Sequence, residues 1–67
     1  MEDEVIKYYV YKNDVRFIED GFNNMNEAIE YARENKCDEV EMAAWDSRKA
    51  YNKKQEADRF QVVWQKD

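Results

Sequence analysis

Asn24-Met25-Asn26-Glu27-Ala28-Ile29-Glu30-Tyr31-Ala32-Arg33-Glu34-Asn35 is the stretch from which the fold can be read. Met25, Ala28, Ile29 and Ala32 recur at helical spacing and form one apolar stripe, while Glu27, Glu30, Arg33 and Glu34 point elsewhere. Asn24 suits the start of this helix. Its side chain can accept from the Glu27 amide while Glu27 reaches back, a capping box with Asn as the cap. Asn35 tolerates left-handed backbone and is expected to terminate the helix. A helix with one apolar face needs a flat surface to cover, and the flanking sequence supplies it.

Upstream, Val5-Ile6-Lys7-Tyr8-Tyr9-Val10-Tyr11 is dense in β-branched and aromatic residues and reads as a strand. Lys12-Asn13-Asp14 carries turn chemistry, Val15 to Glu19 reads as the hairpin partner, and Gly21 is expected to permit a bend. Downstream, Asp38 to Trp45 alternates, with Val40, Met42 and Ala44 on one side and Glu39, Glu41, Ala43 and Trp45 on the other. Arg59 to Gln65 alternates as well, setting Phe60, Val62 and Trp64 against Gln61, Val63 and Gln65. Asp46 to Asp58 is long for a hairpin loop. It reads either as a mobile connection or as one holding a short helix from Ser47, with Ala50, Tyr51 and Ala57 too few to decide. The order strand, strand, helix, strand, strand predicts an α+β two-layer domain over residues 1–67. It has a four-stranded, mainly antiparallel sheet with one helix on one face.

Ala28-Ile29-Glu30-Tyr31-Ala32-Arg33-Glu34-Asn35, followed by Asp38-Glu39-Val40-Glu41, resembles short uncharacterised proteins of Gram-positive bacteria and their phages. Those proteins pair an opening hairpin with an A-I-x-Y-A-x-E-N helix and an acidic strand. They usually place glycine after the helix, where this chain has Asn35-Lys36. The resemblance implies the topology and a phage or prophage setting, and it carries no functional residue across.

Sixty-seven residues leave room for one small core. Cys37 is the only cysteine, which excludes an internal disulfide and fits a reducing compartment, and histidine is absent. Met1-Glu2-Asp3-Glu4 lacks the basic and apolar regions of a signal peptide, and no long apolar run suggests a membrane span, so a cytoplasmic location is expected. The net charge of −5 is unevenly placed. Residues 23–46 carry seven acidic and two basic side chains, and residues 47–67 carry three acidic and six basic.

This inventory argues against an enzyme. Ser47 has no histidine to activate it and reads as a turn or helix cap. Cys37 follows a helix end, where nothing lowers its pKa, and reads as a small buried residue. Glu39 and Glu41 share one strand face, yet a catalytic carboxylate pair needs a cleft and a calcium loop needs denser oxygen ligands with a turn glycine. They read as a solvated acidic face. No cofactor, metal ion or small-molecule substrate is implied.

The aromatic residues carry the functional expectation. If Ile6, Tyr8, Val10, Val40, Met42, Phe60, Val62 and Trp64 face the helix, the other side presents Lys7, Tyr9, Tyr11, Trp45 and Val63 among Glu41 and Gln61. Tyrosine and tryptophan on an open sheet face commonly mark association. Tyr9, Tyr11 and Trp45, guided by Lys7, Glu39 and Glu41, are therefore the candidate docking residues for a protein partner or a second copy. The opposing reading is that these rings cover the face for the domain's own sake, or are buried by residues 46–58. Two further readings compete. Glu27, Glu30, Glu34, Asp38, Glu39 and Glu41 could imitate nucleic-acid phosphates and occupy a partner's basic groove, a look that small phage inhibitors, anti-CRISPR proteins among them, often share. Open aromatics with Lys7, Arg48, Lys49, Lys53, Lys54 and Arg59 could instead bind single-stranded nucleic acid, which the acidic middle segment opposes.

Overall fold

The computed structural model describes residues 3–66. Strand β1 (Val5–Lys12) turns at Asn13 and Asp14 into β2 (Val15–Arg16); helix α1 (Met25–Glu34) and strand β3 (Glu39–Trp45) follow. A short helix, α2 (Arg48–Asn52), precedes strand β4 (Arg59–Gln65). The strands form one antiparallel sheet in the order β2-β1-β3-β4. This is the α+β sheet-and-helix domain that the sequence pattern implies, and of the two readings of residues 46–58 it holds the short helix from Ser47. Helix α2 lies against the face that α1 leaves bare. Among the described residues, no helix is long and apolar enough to cross a membrane.

The hairpin turn is set by two residues. Asn13 and Asp14 both have positive φ, 53° and 66°, as the tight two-residue turn between twisted strands requires. The partner strand is shorter than the sequence suggests. The Phe17 amide donates to the Val10 carbonyl, then residues 18–21 leave the ladder, and Phe22 rejoins opposite Tyr8 through a reciprocal pair of 2.8 Å bonds. The excursion passes over the Tyr9 ring, so closely that a Cβ on Gly21 would sit 2.9 Å from Tyr9 Cε1. Gly21 does not adopt positive φ, so what its position requires is space for the ring rather than an unusual bend.

Helix α1 begins as its local chemistry dictates. The Asn24 side chain accepts from the amides of Asn26 at 2.8 Å and Glu27 at 3.2 Å. Its end differs from expectation: Asn35 has φ −101°, and the left-handed residue is Lys36 at 57°. The Cys37 amide donates to the Ala32 carbonyl and the Lys36 amide to the Arg33 carbonyl, which is the Schellman arrangement. Ala28 and Ala32 are buried and Ile29 half-buried, whereas Met25, at the start of the stripe, stays 40% exposed. Helix α2 repeats the pattern. Ser47 Oγ caps it by accepting from the Ala50 amide at 3.1 Å, and Lys54, with φ 59°, closes it through bonds from Lys54 to Tyr51 and from Gln55 to Ala50.

Two small cores result, one on each sheet face. Val10, Val40 and Cys37 pack with Ala28 and Ala32 under α1, supported by Tyr8, Phe22, Tyr31, Val63 and Trp64. Val5, Tyr9, Ala43, Trp45 and Ala57 form the second, with Tyr11, Ala50 and Tyr51 against them. The allocation of β4 differs from simple alternation. Val40 pairs with Trp64 but Glu41 pairs with Val62, so Val63 is an extra residue in a β-bulge. The bulge puts Val63 and Trp64 against the α1 core. Phe60 and Val62, expected beside Trp64, instead lie on the α2 face opposite Ala43 and Glu41, 50% and 42% exposed.

Candidate functional site

Strand pairing brings all six candidate docking residues to one face, as alternation predicts. Val5 and Trp45, Lys7 and Ala43, Tyr9 and Glu41, and Tyr11 and Glu39 are neighbours across the β1–β3 ladder. That face is not open. Tyr9 is only 7% exposed and Trp45 only 8%. The expectation of free rings at these positions is corrected by two coverings that arise from the connections.

The first is the 46–58 segment. The Asp46 amide donates to Asp58 Oδ2 at 2.7 Å and the Asp58 amide to the Ala44 carbonyl at 2.8 Å, which closes the base of the segment. From there the Tyr51 ring meets Trp45 edge-on at 4.9 Å, and the Trp45 indole N–H donates to the Gln55 carbonyl at 2.7 Å. The second is the 18–21 excursion with Arg16. The Arg16 guanidinium sits 4.0 Å from the Tyr9 ring centroid, a cation–π stack. Burial raises the Tyr9 phenol above its ordinary pKa, with the nearby Tyr51 adding to the shift and Arg16 opposing it.

The remaining candidates are engaged within the chain. The half-buried Tyr11 hydroxyl donates to Glu41 Oε1 at 3.3 Å and accepts from Arg16 Nη2 at 3.4 Å, so phenol, acid and base form one short chain. Lys7 Nζ donates to Asn23 Oδ1 and lies 5.4 Å from the Tyr51 ring centroid. Glu39 is half-buried between Tyr11 and Gln65 in the ladder. With Tyr9 and Trp45 covered, this face offers no stacking platform for bases from those rings.

The acidic residues do not form one surface. Glu27, Glu30 and Glu34 border a shallow depression with Phe22 and Tyr31 on α1. Glu39 and Glu41 lie on the opposite side of the sheet, beside Tyr11 and Tyr9. Asp38 is tied down between them. Its Oδ2 accepts from the Asn13 amide at 2.6 Å and its Oδ1 pairs with Lys66 at 3.3 Å. A continuous phosphate-like stripe is therefore absent from these residues. Cys37 is 1% exposed, and burial pushes its thiol pKa up, which suits a packing role.

What the α2 face does present is a cleft of about 570 Å³ between the two coverings. Tyr9, Ala43 and Trp45 lie at its base, Arg16, Glu19 and Asp20 belong to one covering, and Tyr51 and Lys54 to the other. Phe60 also lines it, and Val62 follows on the same strand face. Comparison with protein-family models, curated proteins and solved structures finds no match to this chain. The site therefore has to be read from its own chemistry. Its exposed apolar residues are Phe60 and Val62, which sequence reasoning assigned to the core; the adjacent pair Val62-Val63 carries no sign of which valine is the extra residue.

Proposed function

We propose that this chain is a protein-binding module whose docking element is the outer edge of β4, with Phe60 and Val62 as its side-chain contacts. The observation that supports this reading most is the condition of that edge. Strand β4 is seven residues long and borders only β3, so one row of its backbone donors and acceptors has no strand partner among the described residues. Such an edge accepts an added strand from another chain, with main-chain bonds giving affinity and alternate side chains giving specificity. The other edge is different: β2 has two residues and offers almost no ladder. Phe60 and Val62, two apart on one face, supply the apolar contacts such docking needs, and the cleft beside Phe60 offers room for a large side chain.

The charge of β4 shapes the partner. Its only charged residue is Arg59, with Asp58 just before it and Lys66 just beyond its other end, so an incoming strand meets no acidic side chain of β4 itself. Selection of random displayed peptides against the chain tests this reading. Enriched peptides should alternate apolar with polar or acidic residues, slow amide exchange across residues 59–65, and lose binding to Val62→Lys. Peptides that protect α1 instead, or that bind Val62→Lys undiminished, would remove β4 from the proposal.

A further inference from the structure

We infer that the strand which completes β4 is β4 of a second copy of this chain, paired antiparallel about a twofold axis at Gln61. This rests on the docking role proposed for the β4 edge and adds the identity of the occupant. The argument comes from which registers the bulge allows. A twofold axis through a residue pairs its neighbours symmetrically, and opposed residues must lie on the same face of the extended sheet.

An axis at Gln61 sets Phe60 against Val62 of the second copy, and Val62 against Phe60 of the second copy, both on the α2 face. It sets Gln61 against its own counterpart on the α1 side, where the structure pairs Gln61 with Met42. Arg59 then opposes Val63, so no like charges meet across the join. Moving the axis to Val62 would oppose Phe60 to Trp64, which the bulge has turned to the α1 core. Moving it to Phe60 would oppose Val62 to Asp58. An axis between residues ahead of the bulge would put every side chain opposite one from the wrong face, and an axis between Val62 and Val63 would do so to those two valines and set Phe60 against Gln65. One register thus satisfies both exposed apolar residues at once. The bulge at its end bends the strand away and limits the pairing to about five residues.

The local charge agrees. Arg59 already pairs with Glu4 of its own chain, so the guanidinium nearest the axis does not face its counterpart uncompensated. Phe60–Val62 is an aromatic with β-branched cross-strand pair, a favourable combination, and the symmetry supplies it twice. The joined area is small against the 1,200–2,000 Å² of standard interfaces, so the dimer is expected to be weak.

Light-scattering mass measured from about 10 µM to about 1 mM should rise from monomer toward dimer for the native chain. Val62→Lys, a change at an exposed position, should stay monomeric and keep its circular dichroism. Gln61→Cys should form a disulfide-linked dimer under mild oxidation, because the axis brings that residue to its own counterpart, whereas Gln65→Cys should not. Native Cys37 is 1% exposed and does not compete. A native chain that stays monomeric to the highest concentration would overturn self-pairing and leave the β4 docking reading to the peptide selection. A dimer that persists in Val62→Lys, or cross-links equally through Gln65→Cys, would also overturn it.

Discussion

The Trp45 indole donates its N–H to the Gln55 carbonyl at 2.7 Å, across the whole span of α2, and this bond with the Tyr51 edge contact holds the 46–58 segment over the sheet. Trp45→Phe keeps an aromatic ring on Val5 and Tyr51 but removes the donor. Gln55 is exposed, so water can satisfy its carbonyl, and the loss should be about 1 kcal/mol in urea unfolding. Amide exchange in Arg48–Gln55 should accelerate while α1 is unchanged. Trp45→Ala empties the core beneath the segment at about 3–5 kcal/mol, which is as much as a domain this small usually commands, so that variant should be largely unfolded.

Gly21→Ala probes the second covering. The added methyl carbon would lie 2.9 Å from Tyr9 Cε1 and 3.0 Å from Lys7 Cβ. Neither neighbour moves freely: the Tyr9 ring is sandwiched by Arg16, and the Lys7 carbon belongs to a paired strand. Overpacking of this kind costs about 1–3 kcal/mol, and the urea midpoint should fall accordingly. An unchanged midpoint would mean that the 18–21 excursion is held less closely to Tyr9 than the distances state.

These two positions show where legibility in the sequence ended. Helix α1 was readable because its cap, Asn24, and its stripe, Ala28 and Ala32, act within a few residues of each other. The shared face of Lys7, Tyr9, Tyr11, Glu39, Glu41 and Trp45 was readable because β1 and β3 alternate without interruption. Closure of that face by residues 46–58 was one of two competing readings and could not be decided. It depends on an indole N–H finding a carbonyl ten residues away and on a guanidinium finding a ring, contacts that leave no periodic trace. The β4 assignment failed for a related reason. Phe60, Val62 and Trp64 alternate in sequence, but pairing with β3 places an extra residue at Val63, and everything before it changes sides.

Lys36 and Lys54 occupy the left-handed position that ends each helix, with φ 57° and 59°. Both make the two closing bonds of the Schellman motif, so the geometry is already that which glycine prefers. A β-carbon there costs about 1–2 kcal/mol, and glycine gives back about 0.5–1 kcal/mol through the freer unfolded chain. Lys36→Gly and Lys54→Gly should therefore each raise stability by about 0.5–1 kcal/mol, read as a higher thermal midpoint. Lys54→Gly should also slow amide exchange in the 46–58 segment, which Lys36→Gly should not.

Asp38 gives the fold a pH dependence with a definite sign. Its carboxyl is held below the ordinary carboxylate range, first by the hydrogen bond from the Asn13 amide and then by Lys66. A folded-state value below the unfolded one means that ionised Asp38 stabilises the fold at every pH above the unfolded value near 3.8. That contribution disappears as pH falls through the lowered folded value. Asp38→Asn keeps an acceptor for Asn13 and loses the charge, so it should be less stable than the native chain at neutral pH. The gap should close on acidification, because protonated Asp38 and the amide then make the same bond. Urea midpoints of both proteins between about pH 7 and pH 2 measure it directly. Two curves that run parallel throughout would show that the hairpin turn and the start of β3 are not coupled through this carboxylate.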